Sequence, residues 1–340
     1  MNQLRVAVAG AGFWAKVQVA AWGEIPGVRC VAICDPDRAK AAALAESACI
    51  PAVFSDAQEM LAAAQPDLLD IVSSVTSHGP LVRLAAARGL PVVCQKPLAA
   101  TWTECQALVH ECVAAGVMLA VHENWRWQAP LRKAKELLAA GAIGRPFRAR
   151  IDMISGFDVA ANQPHLKEAP EFIIADLGCH LFDLARSLFG EMTQIYCRTA
   201  RVQPGFRGED VATAVLSAAA GPTIVVNMAY AGTPLERECF PQTLLFVEGD
   251  RGSLEALPNY ELRVTDAAGT RALQTLPPAY AWTDPKYAVV QASIVPCHDD
   301  MVRALRTGQL PETHGADNLR TMRLVFAAYE SARLGSAVRV

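Results

Sequence analysis

No C-x-x-C pair occurs among the ten cysteines, which lie at 30, 34, 49, 94, 105, 112, 179, 197, 239 and 297. That absence excludes a zinc ribbon and a thioredoxin-type redox pair. Several cysteines, Cys30 and Cys94 among them, fall in apolar runs where a thiol behaves as a small buried hydrophobe. Reduced thiols in a cytoplasmic protein are expected, not a disulfide framework. The H-E-x-x-H pattern of a metalloprotease is also missing, and no metal site is expected. No apolar run approaches the roughly 20 residues of a membrane span. The start of the chain lacks the apolar core and cleavage site of a signal peptide. Neither sign of charge dominates: 31 basic residues face 34 acidic ones, a net −3, leaving no footprint for nucleic acid or an anionic membrane. No internal repeat or low-complexity tract is visible, and Gly 22 and Pro 21 are ordinary usage.

What is present is a globular composition, 52% hydrophobic and 19% charged, which excludes a disordered chain. A length of 340 residues predicts about two domains. Up to about residue 121, short apolar runs (6–9, 30–34, 69–72, 91–94 and 117–121) alternate with Ala-rich helical stretches. Continuous apolar strands separated by helices mark a parallel sheet covered on both faces, and right-handed crossovers make it doubly wound. After about residue 145, strand-like runs follow one another at 147–155, 194–203, 211–220, 223–231, 243–249 and 260–265. A single helix, about 174–188, interrupts them. The expected class is α/β: residues 1–121 form a Rossmann domain, and 122–340 an α+β domain on a mostly antiparallel open sheet. A closing helix, about 316–334, is expected to pack back on the first domain.

The segment Gly10-Ala11-Gly12-Phe13-Trp14-Ala15 reads G-x-G-x-x-A, directly after a strand and opening a helix. Gly10 permits the tight turn, Gly12 the close approach of a pyrophosphate, and Ala15 close helix–sheet packing. A helix N-terminus offers free N–H groups to phosphate, so Gly10, Gly12, Phe13 and Trp14 are cofactor-binding candidates. The bland alternative is a strand–helix turn with incidental glycines. Asp35, ending the second strand, can accept bonds from adenosine ribose hydroxyls and would repel a 2′-phosphate. NAD is therefore expected over NADP.

Three further segments carry a resemblance. They are Cys94-Gln95-Lys96-Pro97; His122-Glu123-Asn124-Trp125-Arg126-Trp127 leading to Pro130 and Gly141-Ala142-Ile143-Gly144; and Asp176-Leu177-Gly178-Cys179-His180-Leu181-Phe182-Asp183. With the fingerprint and the closing Ala328-Tyr329-Glu330-Ser331-Ala332, the chain resembles the Gfo/Idh/MocA family, glucose–fructose oxidoreductase and inositol dehydrogenase among its members. The resemblance runs nearly end to end. It implies a sheet-based substrate domain and redox chemistry on sugars or cyclitols with a nicotinamide. Lys96 then stands between substrate hydroxyl and nicotinamide ribose, with the peptide before Pro97 a candidate cis bond. Ser74, His78, Gln95 and Asn124 join the cofactor-binding set. Two departures stand out: Gln95 replaces the family's usual glutamate, and Ser74-Val75-Thr76-Ser77-His78 lacks the proline of Thr-Pro-x-x-His.

Oxidising an alcohol needs a base for the hydroxyl proton while hydride leaves the same carbon. Asp176 and His180 are spaced i, i+4, which on an α-helix puts them on one face, about 5–6 Å apart at Cβ. Imidazole, with an ordinary pKa near 6.5, suits proton transfer close to neutrality. Such a pair is often only a surface contact, but Ile173, Ile174, Leu177, Leu181 and Phe182 predict a mostly buried helix. The resemblance makes His180 the general base, Lys96 the orienting or relaying cation and Asp176 the substrate anchor. Arg126, Asn162 and His165 complete the substrate-binding candidates. The indoles of Trp125 and Trp127 are either a wall against a sugar face or core. Asp183 is expected to be structural, and His110, His298 and His314 to be solvated or locally bonded.

The leading expectation is an NAD-dependent sugar or polyol dehydrogenase. Its motif wording resembles a subgroup oxidising aldoses, D-apiose among the candidates, to a lactone. Alternatives are a glycoside-cleaving enzyme using transient oxidation and a non-catalytic NAD-binding regulator. The outer face of the second sheet, with 223–227, is expected to pack on a partner, giving a homodimer or homotetramer.

Overall fold

A computed structural model describes residues 3–231 and 239–340, and the chain divides into two compact units. Unit one comprises Met1–Glu123 and Ile294–Met322; unit two comprises Asn124–Ser293 and Arg323–Val340. The expected boundary at 121/122 compares with 123/124. The difference lies later: a helix at Ile294–Thr307, which the strand-rich reading of the second half does not anticipate, returns to unit one. The closing helix, Gly315–Leu334, groups with unit one only through Met322.

Unit one carries a six-stranded sheet of β1 (Leu4–Ala9), β2 (Val28–Cys34), β3 (Ala52–Phe54), β4 (Leu68–Ile71), β5 (Val92–Cys94) and β6 (Leu119–Val121). The order is β3-β2-β1-β4-β5-β6 and every pair is parallel, the doubly wound dinucleotide-binding order. Its crossovers are α1 (Phe13–Gly23), α2 (Arg38–Ser47), α3 (Ala57–Ala64), α4 (Val75–Ala86) and α5 (Trp102–Ala114). Asp37, Asp56 and Thr101 cap α2, α3 and α5 by accepting from a first-turn N–H. In β1, Val6 to Ala9 are wholly buried, as a strand covered on both faces must be.

Unit two begins with α6 (Ala129–Ala139) and holds the second sheet. Its strands are β7 (Pro146–Ser155), β8 (Met192–Ala200), β9 (Val211–Ala218), β10 (Thr223–Tyr230), β11 (Leu244–Gly249), β12 (Gly252–Leu257), β13 (Glu261–Asp266), β14 (Gly269–Gln274) and β15 (Val338–Arg339). The order is β14-β13-β12-β11-β7-β10-β9-β8-β15, antiparallel except for β7 with β10. Register aligns one apolar face: Ala149, Ile151 and Met153 pair with Ile224, Val226 and Met228, which pair in turn with Leu216, Ala214 and Ala212. All nine are buried. Each buried aliphatic side chain contributes about 1.5–3 kcal/mol, so this ladder is the core of the unit. The opposite face alternates half-exposed residues such as Val215, Val225 and Phe246 with a polar row in which Asn227 donates to Asp152 and accepts from Thr213. Helix α7 (Cys179–Phe189) covers the apolar face through His180 to Arg186, which are all buried. Among the described residues no helix is long and apolar enough to cross a membrane.

Candidate active site

The turn after β1 is shaped for a ligand that needs backbone contact. Gly10 has φ +114°, and a Cβ there would lie 2.1 Å from the Val72 carbonyl oxygen, so only glycine fits. Gly12, by contrast, faces open space and starts α1 with no side chain capping it. The first-turn N–H groups of α1 are thus left for an anion. Phe13 is exposed at 43% and meets Trp14 edge-on. Asp35 accepts from Ala11 N–H at 2.8 Å and from Asp37 N–H at 2.8 Å, so the carboxylate also ties the glycine turn to the end of β2. Open backbone beside Gly12, an uncapped helix start and a carboxylate one strand over fit a dinucleotide.

The loops after β4 and β5 are held to each other. His78, fully buried on α4, places Nδ1 3.1 Å from the Pro97 oxygen and 3.3 Å from that of Leu98, with Nε2 3.2 Å from the Ser73 oxygen. Burial holds its pKa below the usual imidazole range, against the pull of the three carbonyls. His78 is thus a clamp between the loops after β4 and β5. Ser74 sits exposed at the start of α4, bonded to Thr76 and Ser77 hydroxyls. The Lys96–Pro97 peptide is cis. Gln95 accepts from Lys96 N–H at 3.0 Å, while its own amide donates to Gln18 Oε1 at 2.7 Å and lies 3.4 Å from His122 Nδ1.

In unit two, Ile174–Gly178 winds as a π-helical turn before α7 begins. The α-helical i, i+4 geometry expected for Asp176 and His180 therefore does not apply across it, because a π turn inserts an extra residue. Gly178 lets this wide turn lie on β10, since a Cβ there would be 3.3 Å from Met228 Sδ and from Ile174 Cγ2. The turn is anchored at its start. Glu209 accepts from Phe172 and Ile174 N–H at 3.2 Å, and Tyr329 donates to Glu209 at 2.9 Å while accepting from Ala175 N–H at 3.0 Å. Burial, then Glu209, pushes the Tyr329 phenol far up, so it stays protonated. His180 is 5% exposed and stacks flat on Trp125, ring centroids 4.6 Å apart at 3°. Burial, then half-buried Asp176, raises the pKa of Tyr230.

The structure places the remaining candidates as follows. Arg126 is 5% exposed and its guanidinium grips both oxygens of Asp183, Nε at 2.7 Å, so it joins the segment Asn124–Trp127 to α7. Breaking a buried pair of this kind costs about 3–5 kcal/mol. Asn124 donates to the Val290 carbonyl and the Ser293 hydroxyl, which commits its amide nitrogen inside unit two. Trp125 and Trp127 are buried, one on His180 and the other under the Arg132 guanidinium at 3.7 Å, so neither is an open wall. Asn162 and His165 are exposed beside short 3-10 turns. His298, expected to be solvated or locally bonded, is fully buried, stacked on Trp22 at 3.6 Å, and neither ring nitrogen has a hydrogen-bond partner among the described residues. Burial, then His122, holds it well below the usual imidazole pKa and so neutral. The ten cysteines are all thiols, with no disulfide between them.

Sequence reasoning passes over Gln18, Asp70, Glu209 and the stacking role of Trp125. One signal is legible: an aspartate inside the apolar run Leu68-Leu69-Asp70-Ile71 must be paired when buried.

Comparison with known proteins follows the same division. Residues 4–123 match the family model described as "Oxidoreductase family, NAD-binding Rossmann fold", and 131–255 match the GFO/IDH/MocA C-terminal domain. The chain is 41% identical over its whole length to a D-apiose dehydrogenase of Paraburkholderia graminis, covering 90% of that protein. It is 39% identical, again over its whole length, to a D-apiose dehydrogenase of Rhizobium rhizogenes, covering 98% of it. A crystal structure of an oxidoreductase from Agrobacterium radiobacter in complex with NAD+, L-tartaric acid and magnesium superposes with TM-score 0.97 at 39% identity, over 99% of this chain and 98% of that one.

Proposed function

The chain belongs to the Gfo/Idh/MocA oxidoreductase family, and from that premise we propose that it is an NAD-dependent sugar dehydrogenase with D-apiose as the favoured substrate. The observation carrying this reading is identity near 40% across the whole chain to D-apiose dehydrogenases. NAD is favoured over NADP because Asp35 presents a carboxylate where the adenosine ribose is expected. A bound nicotinamide supplies the acceptor for hydride leaving the sugar carbon.

The chain's own groups handle the proton and the pose. The imidazole of His180 takes the hydroxyl proton, and the flat Trp125 stack fixes the plane in which it does so. Lys96 orients the hydroxyl and stabilises the oxygen as its proton leaves. Asp176, carried on the anchored π turn, accepts from a second sugar hydroxyl. At the anomeric carbon this chemistry yields a lactone. The half-exposed outer face of the second sheet serves as a homodimer or homotetramer contact, so light scattering at micromolar protein is expected to exceed the monomer mass.

The test of function is a screen of D-apiose, other aldoses and cyclitols with NAD, reading NADH absorbance. Net accumulation with D-apiose is expected. Sugar conversion without net NADH points to glycoside cleavage by transient oxidation, and no conversion of any sugar overturns the reading.

A further inference from the structure

A row of amides runs from the Gln95-Lys96-Pro97 turn into the floor of unit one. Lys96 N–H donates to Gln95 Oε1, Gln95 Nε2 to Gln18 Oε1, and Gln18 Nε2 to Asp70 Oδ1 at 2.8 Å. Asp70 Oδ2 accepts from the Trp22 indole at 2.7 Å. Gln18, Trp22 and Asp70 are each 0% exposed.

Both ends of this row can only donate. A backbone N–H at Lys96 requires an oxygen from Gln95, which turns the Gln95 nitrogen to Gln18, and that turns the Gln18 nitrogen to Asp70. The indole occupies the other Asp70 oxygen in the same sense. Both Asp70 oxygens accept, which an amide at that position could not do. Every amide orientation up to Lys96 is consistent with those two acceptors at Asp70. An amide there, with one oxygen to accept and one nitrogen to donate, puts two donors face to face somewhere along the row. The other side of the same turn is pinned by His78 at Pro97 and Leu98, while the row holds the backbone at its Lys96 end.

We propose that Asp70, acting through Gln18 and Gln95, is a positioning residue for Lys96. The positioning role rests on the proposed dehydrogenase function; the polarity of the row does not.

The polarity can be reversed, and that gives the test. In Asp70→Asn, one donor–donor clash is unavoidable. In Gln95→Glu, two carboxylates flank the single amide of Gln18. In the double variant all bonds can form again. The amide now at position 70 accepts from Trp22 and donates to a flipped Gln18. Gln18 in turn donates to the carboxylate now at position 95, which accepts from Lys96 N–H. Asp70→Asn is expected to lower kcat about 10–100-fold with KM nearly unchanged. Gln95→Glu is expected to lose turnover increasingly as pH rises, since Asp70 must then stay protonated. The double variant is expected to recover most of the loss and to melt above Asp70→Asn. A double variant no more stable than Asp70→Asn overturns the relay. Stability recovered without kcat, or Asp70→Asn within twofold of the parent kcat, overturns the positioning role. If the parent protein oxidises no sugar, the functional reading falls, and the melting cycle alone decides the relay.

Discussion

Lys96 and His180 are supported in opposite ways. Lys96 sits on a cis turn oriented by a polar row that ends in a buried carboxylate, with His78 as the clamp on the far side. His180 sits in the first turn of α7, pressed on Trp125, behind a π turn that Glu209 and Tyr329 tie down by its backbone N–H groups. The first support is electrostatic and directional; the second is dispersion plus backbone anchoring. Bonds between buried polar groups are sensitive to a single changed charge, whereas a stacked ring tolerates neutral change and fails when its surface is lost. The lysine and the histidine are therefore expected to respond to different perturbations.

The largest effect separates the two groups by kinetics. His180→Ala is expected to lower kcat about 10²–10⁴-fold with NAD affinity nearly unchanged, because proton transfer is what disappears. Lys96→Ala is expected to lower kcat and raise KM together, since orientation is lost as well. Steady-state kinetics beside NAD titration measures both. Near-full turnover in His180→Ala would falsify its role as base and make Lys96 the first replacement.

A smaller effect tests the anchored turn. Tyr329→Phe removes the acceptor of Ala175 N–H and the donor to Glu209, and is expected to lower stability by about 1–3 kcal/mol in denaturant unfolding. Turnover is expected to fall with it, because Asp176 rides on that turn, while NAD affinity stays. A variant with parental stability removes the anchor from the comparison.

Burial of the polar row predicts a pH signature in stability. Burial pushes the Asp70 carboxyl from 3.8 up to about 7, against the pull of the Trp22 and Gln18 bonds. The folded form then binds more protons than the unfolded form between those values, so Asp70 adds stability below about 4 that is lost as pH rises through about 7. Cys30 and Cys94 beside it, their thiols pushed up by burial, stay neutral throughout. The melting temperature of the parent minus that of Asp70→Asn is expected to increase as pH falls from 7 to 4. A flat difference means that Asp70 binds its proton equally well in the folded and unfolded forms.

The smallest effect concerns the cofactor. Asp35→Ser is expected to narrow the preference for NAD over NADP by about tenfold. Part of any loss in NAD affinity will reflect the turn itself, since Asp35 holds Ala11 N–H. Equal binding of the two cofactors by the parent protein removes Asp35 as the discriminator.

How far the sequence reaches depends on how local the cause is. The strands at 6–9, 30–34 and 69–72, the glycine turn and the long closing helix are written in neighbouring residues, through continuous apolar runs, a φ that only glycine adopts and helical spacing. The expected strands of the second sheet also match β7 to β11 and β13 within a few residues, while β12, β14 and β15 are not anticipated. β14 is exposed along its whole length, so no buried face marks it. The π turn escapes because a single wide turn of five residues is too short to show a period of its own.

Chain chemistry by itself determined an α/β dinucleotide fold and a strand-built second unit, and it marked Lys96, Asp176 and His180 as the candidates we propose for moving a proton and orienting a hydroxyl. Only the tertiary structure decided what each of them leans on. Asp70 reaches Lys96 through Gln18 and Gln95, Glu209 and Tyr329 meet at the turn bearing Asp176, and Arg126 closes on Asp183. Apolar periodicity is a property of adjacent residues. The partner of a buried charge is chosen by the packing of elements far apart in the chain, and no local pattern records it.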